Sequence, residues 1–427
     1  MAGCRSRGNL RALALLGDSQ AGRGARNMRR SEACAAPRRA VGGGCGLGYK
    51  RYLSTVAATT LDPHKFAERL PAWLQPQGPE SDVVVSSRVR LARNLAGFPF
   101  VSKLSDERAL ELCSSLRETL LQASAGLGEG PVEMVWVEMA EVTPLVRLLL
   151  RERHLVSRDL APVPEERPAQ PGRAVAFARD ESFAIMVNEE DHLRLQSLAP
   201  GFQLARAWEG AQALERALDG RIEPAFDRDV GYLTCCPTNV GTGLRASVML
   251  HLPALGMVRS EIEKVFAAAQ RTGLAVRGLY GEGSRAFGDF YQVSNQVTLG
   301  RSEEDLLAEL GELVPAIVRY ERTLRENLLQ ERRAALVDRI SRSFGLLRTA
   351  RAMPTDGALS HLSSLRLGLH LGLWSELDAA DLARARVQIQ KGHVQALNQE
   401  PPQGELMEPS ERDRLRAAYL RKLLATR

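Results

Sequence analysis

From Leu61 onward the chain alternates between short blocks with apolar residues at every second position and longer blocks with apolar residues every three or four. VEMVWVEM (132–139) reads as a strand. AVAFA (174–178) and SFAIMV (182–187), joined by the polar turn Arg179-Asp180-Glu181, predict a hairpin. A strand-like VVV leads into SSRVRLAR (86–93), and LTCC and the run up to Val248 flank a glycine turn. APVPEERPAQPGR (161–173), with four prolines, is a loop inside a domain, because strand signals resume at once. After Gly300 the pattern becomes helical. Ser302-Glu303-Glu304-Asp305 has capping-box form, and Leu306, Leu310, Leu313, Ile317, Tyr320, Leu324 and Leu328 follow at helical spacing, with Pro315 predicting a kink. From about residue 330 only helical patterns remain, which implies a separate α domain of roughly 95 residues.

Composition narrows the class. With 44% apolar and 25% charged residues in 427, the chain is an ordinary globular one, and no run of about 20 apolar residues offers a membrane span. The net charge of +6 suggests an acidic partner until it is divided along the chain. Residues 1–60 hold eleven Lys or Arg against Asp18 and Glu32, a net of +9, which leaves −3 for the remainder. The basic balance therefore gives no reason to expect nucleic-acid binding. The Arg-, Gly- and Ala-rich segment 1–60 has the composition of a mitochondrial-type transit peptide, with Arg51-Tyr52-Leu53 before Ser54 as a cleavage site. The alternative is a disordered or untranslated stretch preceding the true start. Outside that segment the cysteines are Cys113, Cys235 and Cys236, with no CxxC pair and no disulfide framework, as expected of an intracellular body.

Three motifs carry candidate chemistry beside the opening of GYLTCCPTNVGTGLRASV (231–248), which packs a thiol, two glycines and Arg245 together. On a strand, Arg88 and Arg90 of SSRVRLAR point to one face, and two adjacent guanidiniums repel unless an anion sits between them; a solvated edge strand is the plainer alternative. VNEEDHLRL (187–195) gathers Glu189, Glu190 and Asp191 where an apolar strand emerges, with His192 more simply a hydrogen-bonded structural histidine than a metal ligand. RGLYGEGSRAFGDFYQVSN (277–295) is a glycine-punctuated loop suited to a lid, with an ordinary surface loop as the plainer alternative; it lacks the third glycine of a dinucleotide fingerprint, and no GxxxxGK[ST] occurs in the chain.

SSRVR, VNEEDHLR and CPTNVGTGLRASV, in that order, resemble the signatures of the phosphagen kinase superfamily of ATP:guanidino phosphotransferases, over about residues 62–300. GPESDVVVSSRVRLARNL, GYLTCCPTNVGTGLRASVMLHLPAL, GLYGEG and the added C-terminal helices are most similar to the bacterial protein arginine kinases. A bacterial family favours a misplaced start over a transit peptide, and a cytoplasmic location over a mitochondrial one. The resemblance implies an α+β fold, an antiparallel sheet flanked by helices over 61–325, followed by an α-helical domain over 326–427. It implies that Arg88, Arg90, Arg194 and Arg245 hold the triphosphate of ATP, that His154 stacks near adenine, and that Mg2+ is carried by ATP oxygens and water with no protein metal site. Glu190 matches the carboxylate that orients and deprotonates the acceptor guanidinium, whose pKa above about 12 makes it a poor nucleophile, and Cys236 matches the reactive cysteine.

The chain departs from that pattern in places. Tyr280 stands where the superfamily has a further phosphate arginine, Met249 where free-guanidine kinases have histidine, and Arg285 where arginine-specific relatives have a second carboxylate, which leaves Glu282 to take that contact. Only about 25 residues of body precede Arg88, where kinases of free guanidines carry a whole helical domain. The expected substrate is therefore an arginine on a protein, marked for proteolysis in a stress-response and quality-control role. The rivals are a kinase of free arginine and a catalytically impaired phosphoarginine-binding adaptor. The resemblance further implies a homodimer, a zinc-containing activator protein, a Clp-type unfoldase-protease, and a phosphoarginine pocket for which Asp338, Arg342 and Ser343 are candidates, unless these are merely a charged helix surface.

Overall fold

The computed structural model describes residues 61–123, 132–164, 166–278, 287–398 and 405–425, all within a packing unit that begins at Thr60. The strands are β1 (Val84–Arg93), β2 (Met134–Glu138), β3 (Ala174–Ala178), β4 (Phe183–Val187), β5 (Leu193–Pro200), β6 (Phe226–Asp227), β7 (Gly231–Tyr232), β8 (Leu244–His251), β9 (Leu274–Gly278) and β10 (Phe290–Asn295). The β6–β7 pair stands apart; the others form one sheet in the order β2-β3-β4-β5-β1-β8-β10-β9, antiparallel throughout. The expected β3–β4 hairpin is present. SSRVRLAR is no edge strand, since β1 lies between β5 and β8. LTCC itself is irregular, and regular pairing resumes only at Leu244.

The helices are α1 (Pro63–Glu68), α2 (Asp106–Ala123), α3 (Pro144–Glu152), α4 (Leu204–Leu218), α5 (Pro253–Met257), α6 (Arg259–Arg271), α7 (Glu303–Glu331), α8 (Arg333–Thr349), α9 (Thr355–His370), α10 (Ala379–Gln388), α11 (Lys391–Ala396) and α12 (Pro409–Ala425). Among the described residues no helix is long and apolar enough to cross a membrane.

Strand alternation sorts the sheet into two faces. Val89 and Leu91 of β1, Leu193 and Leu195 of β5, and Leu244, Ala246, Val248 and Leu250 of β8 join the main core with α2, α4, α6 and α7. The intervening residues of the same strands face the opposite side. There a second core covers the β2–β4 end, where Val135, Val137, Val175, Phe177 and Met186 pack under α3 and α1, and a smaller cluster of Trp73, Leu74, Leu198, Phe290 and Val387 covers part of β5 and β10. The middle of that face is left for a cleft.

Ser302 caps α7 by accepting from the Asp305 amide, 3.1 Å away. The helix runs for 29 residues through Pro315. Leu313, Val314, Ile317 and Val318 on either side are all buried in the main core. At about 1.5–3 kcal/mol each, that burial outweighs the roughly 3 kcal/mol cost of an interior proline.

Beyond α7 the chain is helical, with its own apolar cluster formed by Ile340, Leu347, Leu362, Leu365, Leu382 and Leu420 among others. These helices dock on the sheet side through polar contacts. His251 Nε2 and Ser363 Oγ are 2.9 Å apart, Arg366 donates to the Ser81 carbonyl at 2.7 Å, and Gln388 Nε2 donates to the Ala67 carbonyl at 3.1 Å.

Buried Glu321 of α7 is the clearest single tie between layers. It accepts from the Ala254 and Leu255 amides at the start of α5 (3.1 and 2.9 Å) and from Arg325 Nε (2.7 Å). Glu321→Ala would orphan two amides and leave the buried Arg325 guanidinium only its longer contacts with Asp82 and the His251 carbonyl (3.5 and 3.3 Å), so an unfolding free energy lower by about 3–5 kcal/mol is expected in denaturant titration. A loss below about 1 kcal/mol would show that the tie is dispensable.

Candidate active site

The cleft is floored by arginines set by strand register. Arg90 of β1 lies directly opposite Arg245 of β8, and Arg88 opposite Ser247, to whose hydroxyl its Nε donates at 3.4 Å. Arg194 of β5 faces Ala92, one step along the sheet, and Arg245 Nη2 donates to Ser294 Oγ at 3.3 Å. Burial, then Arg245 and Arg194, push the Arg88 guanidinium down to about 10. Burial and the same cluster hold Arg90 well below its ordinary value, and Glu189 opposes this only weakly. Arg93, from the same stretch, shows what an ordinary structural arginine looks like here. It points to the other face, where Nε pairs with Glu215 at 2.7 Å and the guanidinium stacks on Tyr232.

Carboxylates enter from the β4–β5 turn. Asn188, at φ 53°, anchors it by donating to the Ala109 and Gly172 carbonyls (3.1 and 2.8 Å). Glu189 and Glu190 then grip Arg194 from two sides, each at 2.6 Å. Glu189 is buried and also accepts from Ser157 Oγ at 2.5 Å. Burial acts to raise its carboxyl, but Arg194, Ser157 and the Glu190 amide prevail and hold it below the usual range. Glu190 is different: its side chain is 42% exposed, free to turn toward an incoming group. Asp191 and His192 are structural. Asp191 accepts from Asn94 Nδ2 and the Cys235 amide (2.7 and 2.8 Å), while His192 Nδ1 accepts from the Leu95 amide and Nε2 donates to the Pro99 carbonyl.

Through Asp191 the acidic turn is tied to the cysteine loop. Cys236 is half-buried with Sγ 3.0 Å from Thr238 Oγ1, whereas burial, then Asp191, pushes the Cys235 thiol up to about 11. The glycines after them serve backbone packing. Gly241, at φ 110°, and Gly243, at φ 63°, have no room for a Cβ, which would meet the Thr298 and Ala92 carbonyl oxygens at 2.7 Å. They let the loop lie against neighbouring backbone.

His154, at φ 56°, follows α3 and is held by Gln196 Nε2, which donates to its carbonyl at 2.8 Å, and by an edge contact with Trp73. Burial, then Arg88 and Arg386, push its imidazole down to about 3, so it is a neutral ring at pH 7, suited to lie beside a base. Arg88, Arg90, His154, Ser157 and Gln196 line a cavity of about 670 Å³ whose far wall is the α10–α11 corner. A second cavity of about 480 Å³ opens beside Glu189, Glu190 and Cys235.

The structure thus brings Arg88, Arg90, Arg194, Arg245 and Glu190 to one face, with His154 at one margin and Cys236 on the loop that Asp191 ties to the acidic turn. Glu282, with Tyr280 and Arg285, lies outside the described residues. On α8, Asp338 and Arg342 are exposed and ion-paired, but Ser343 is buried with Oγ 3.2 Å from His361 Nδ1, so the three do not share a surface. One step beyond Arg342 turns the side chain about 100° inward. Gln196, which the sequence motifs did not single out, stands two residues beyond Arg194 on β5 and so shares its face. The α10–α11 residues carried no such signal. Among the described residues no group of three or more His, Cys, Asp or Glu is placed to hold a metal ion.

Residues 115–324 match the family described as ATP:guanido phosphotransferase, C-terminal catalytic domain, and residues 333–427 match the protein-arginine kinase McsB C-terminal domain. Arg88 and Arg90 precede the first match. Protein-arginine kinases of Moorella thermoacetica and Geobacillus kaustophilus are 43% and 41% identical, each over 84% of this chain and over 98% and 95% of their own lengths. A crystal structure of lombricine kinase aligns with 61% of this chain and 71% of its own at 25% identity, with a TM-score of 0.48. The chain is an enzyme, an ATP-using kinase, and belongs to the protein-arginine kinase family.

Proposed function

We propose that this kinase transfers the γ-phosphoryl group of ATP to arginine side chains of proteins. The observation that carries the reading is the set of cleft-face arginines, Arg90 opposite Arg245 with Arg88 beside them, bordered by Glu190 in the β4–β5 turn. Such an array suits a polyanion, and Arg194 completes it where charge develops on the transferring group. Mg2+ would reach the site on ATP, through ATP oxygens and water, and would neutralise phosphate charge there.

The acceptor enters beside Glu190. One Nη of its guanidinium attacks the γ-phosphorus as the bond to the β-phosphate oxygen breaks; the bonding pair stays with ADP, and the departing guanidinium proton passes to the Glu190 carboxylate. Glu190 must first give up its contact with Arg194, and Glu189 keeps that arginine in place when it does. Cys236, on the loop tied to the same turn, would pair with the far side of the acceptor guanidinium. The wider setting we propose is a cytoplasmic homodimer working with a zinc-containing activator and a Clp-type unfoldase-protease, with phosphoarginine read by Asp338 and Arg342.

Incubating the chain with ATP and either free arginine or an unfolded protein tests the reading, which requires acid-labile phosphate on the protein; labelling of free arginine alone would overturn it. Glu190→Gln should retain nucleotide binding yet lose acceptor phosphorylation, and weakened binding with normal turnover would place Glu190 elsewhere. Arg245→Ala should lower turnover by about 10³- to 10⁵-fold, the range for a transition-state arginine, while a change under about threefold removes Arg245 from the chemistry.

A further inference from the structure

Part of the nucleotide cavity is built by residues far from its signatures. Arg386 near the end of α10, with Gln390 and Lys391 at the start of α11, lines the same space as Arg88, Arg90 and His154. This corner is firmly seated. The Gly392 and His393 amides donate to the Glu152 carboxylate (2.7 and 3.0 Å), and the His393 ring bridges that carboxylate to Arg153 Nε (2.7 and 2.8 Å). Arg386 is 6% exposed, with its guanidinium carbon 4.6 Å from the Phe290 ring centre and Nη1 4.0 Å from Met249 Sδ.

Met249 links this corner to the phosphate arginines. Arg245, Ser247 and Met249 occupy alternate positions of β8, so they run in file along the cleft face, from the Arg90 position toward Arg386. Arg386 also stands close enough to His154 to act on its ring together with Arg88. A continuous track therefore leads from Arg90 and Arg245 past Arg88 and His154 to the α10–α11 corner. The cavity of about 670 Å³ falls within the range of sites that enclose a small ligand. Its cations at both ends match a ligand with a charged tail and a base rich in acceptors.

We propose that Arg386 and Lys391 are nucleotide-binding residues: with the triphosphate on Arg88, Arg90 and Arg245, the ribose and base run past His154 and are closed over by the α10–α11 corner, Arg386 facing the base and Lys391 donating to nucleotide oxygens. Bound nucleotide thereby ties the catalytic sheet to the C-terminal helices, and anything that shifts those helices changes ATP affinity. The inference rests on the reading of this cavity as the ATP site.

Titration calorimetry of the full chain with Mg2+ and a non-hydrolysable ATP analogue tests it, with steady-state kinetics alongside. Lys391→Met and Arg386→Met should each weaken binding roughly tenfold and raise KM for ATP alike, with kcat at saturating ATP nearly unchanged. Lys391 is half-buried at a helix start, so its variant keeps the fold and serves as the reference for the buried Arg386. Affinity within about twofold of wild type in both variants overturns the proposal. So does a loss confined to an Arg386→Met chain that melts early while Lys391→Met binds normally. Calorimetry does not depend on phosphoryl transfer, which separates the two readings. A chain whose nucleotide affinity depends on Lys391 but which leaves protein arginine unmodified refutes the proposed function alone. One that phosphorylates protein arginine with affinity unaltered in both variants refutes this inference alone.

Discussion

Arg90 and Arg245 occupy directly opposed positions on adjacent strands, a place where like charges repel, and Arg88 and Arg194 stand one step away on either side. Holding Arg88 and Arg90 charged in this half-buried row costs free energy, since burial and the neighbouring arginines both oppose the charge. The fold does not relieve that cost by neutralising them internally, as it does for Arg93 with Glu215. In the proposed function, that relief comes from a polyphosphate.

Much of the architecture serves to impose this arrangement. The alternate residues of β1, β5 and β8 are buried apolar side chains of the main core, so a slip of one position would drive the arginines into that core. Arg194, at the edge of the row, is paired with two carboxylates, and these differ in what they can do. Buried Glu189 holds it, while exposed Glu190 is available to an acceptor. The same turn, through Asp191, fixes the loop that carries Cys236. Arginine floor, acid and thiol loop are thus linked through a single chain reversal between β4 and β5.

How much of this could be read in advance follows from the range of each interaction. The strand period put Arg88 and Arg90 on one face, and Ser302 announced the start of α7, because both are local effects. The centrality of β1 was not local: SSRVRLAR looks the same at an edge as in the middle, and only its partners β5 and β8 decide. The cost of Pro315 is local and legible, while the burial of Leu313, Val314, Ile317 and Val318 that offsets it is tertiary. Ser343 was grouped with Asp338 and Arg342 by adjacency in sequence, although helix geometry separates it from them. The α10–α11 corner was illegible for the strongest reason: Arg386 and Lys391 reach the cavity through docking bonds such as Gly392 to Glu152, which no pattern in either segment discloses.

The most direct test of the central claim, that the cleft stores electrostatic repulsion which nucleotide relieves, is the thermal stability of Arg90→Met with and without ATP. Removing one cation from the row while keeping its length should raise the melting temperature of the nucleotide-free chain, and should abolish most of the further stabilisation that saturating ATP gives the wild type. A nucleotide-free variant less stable than the wild type, still stabilised by ATP to the same extent, would contradict the account.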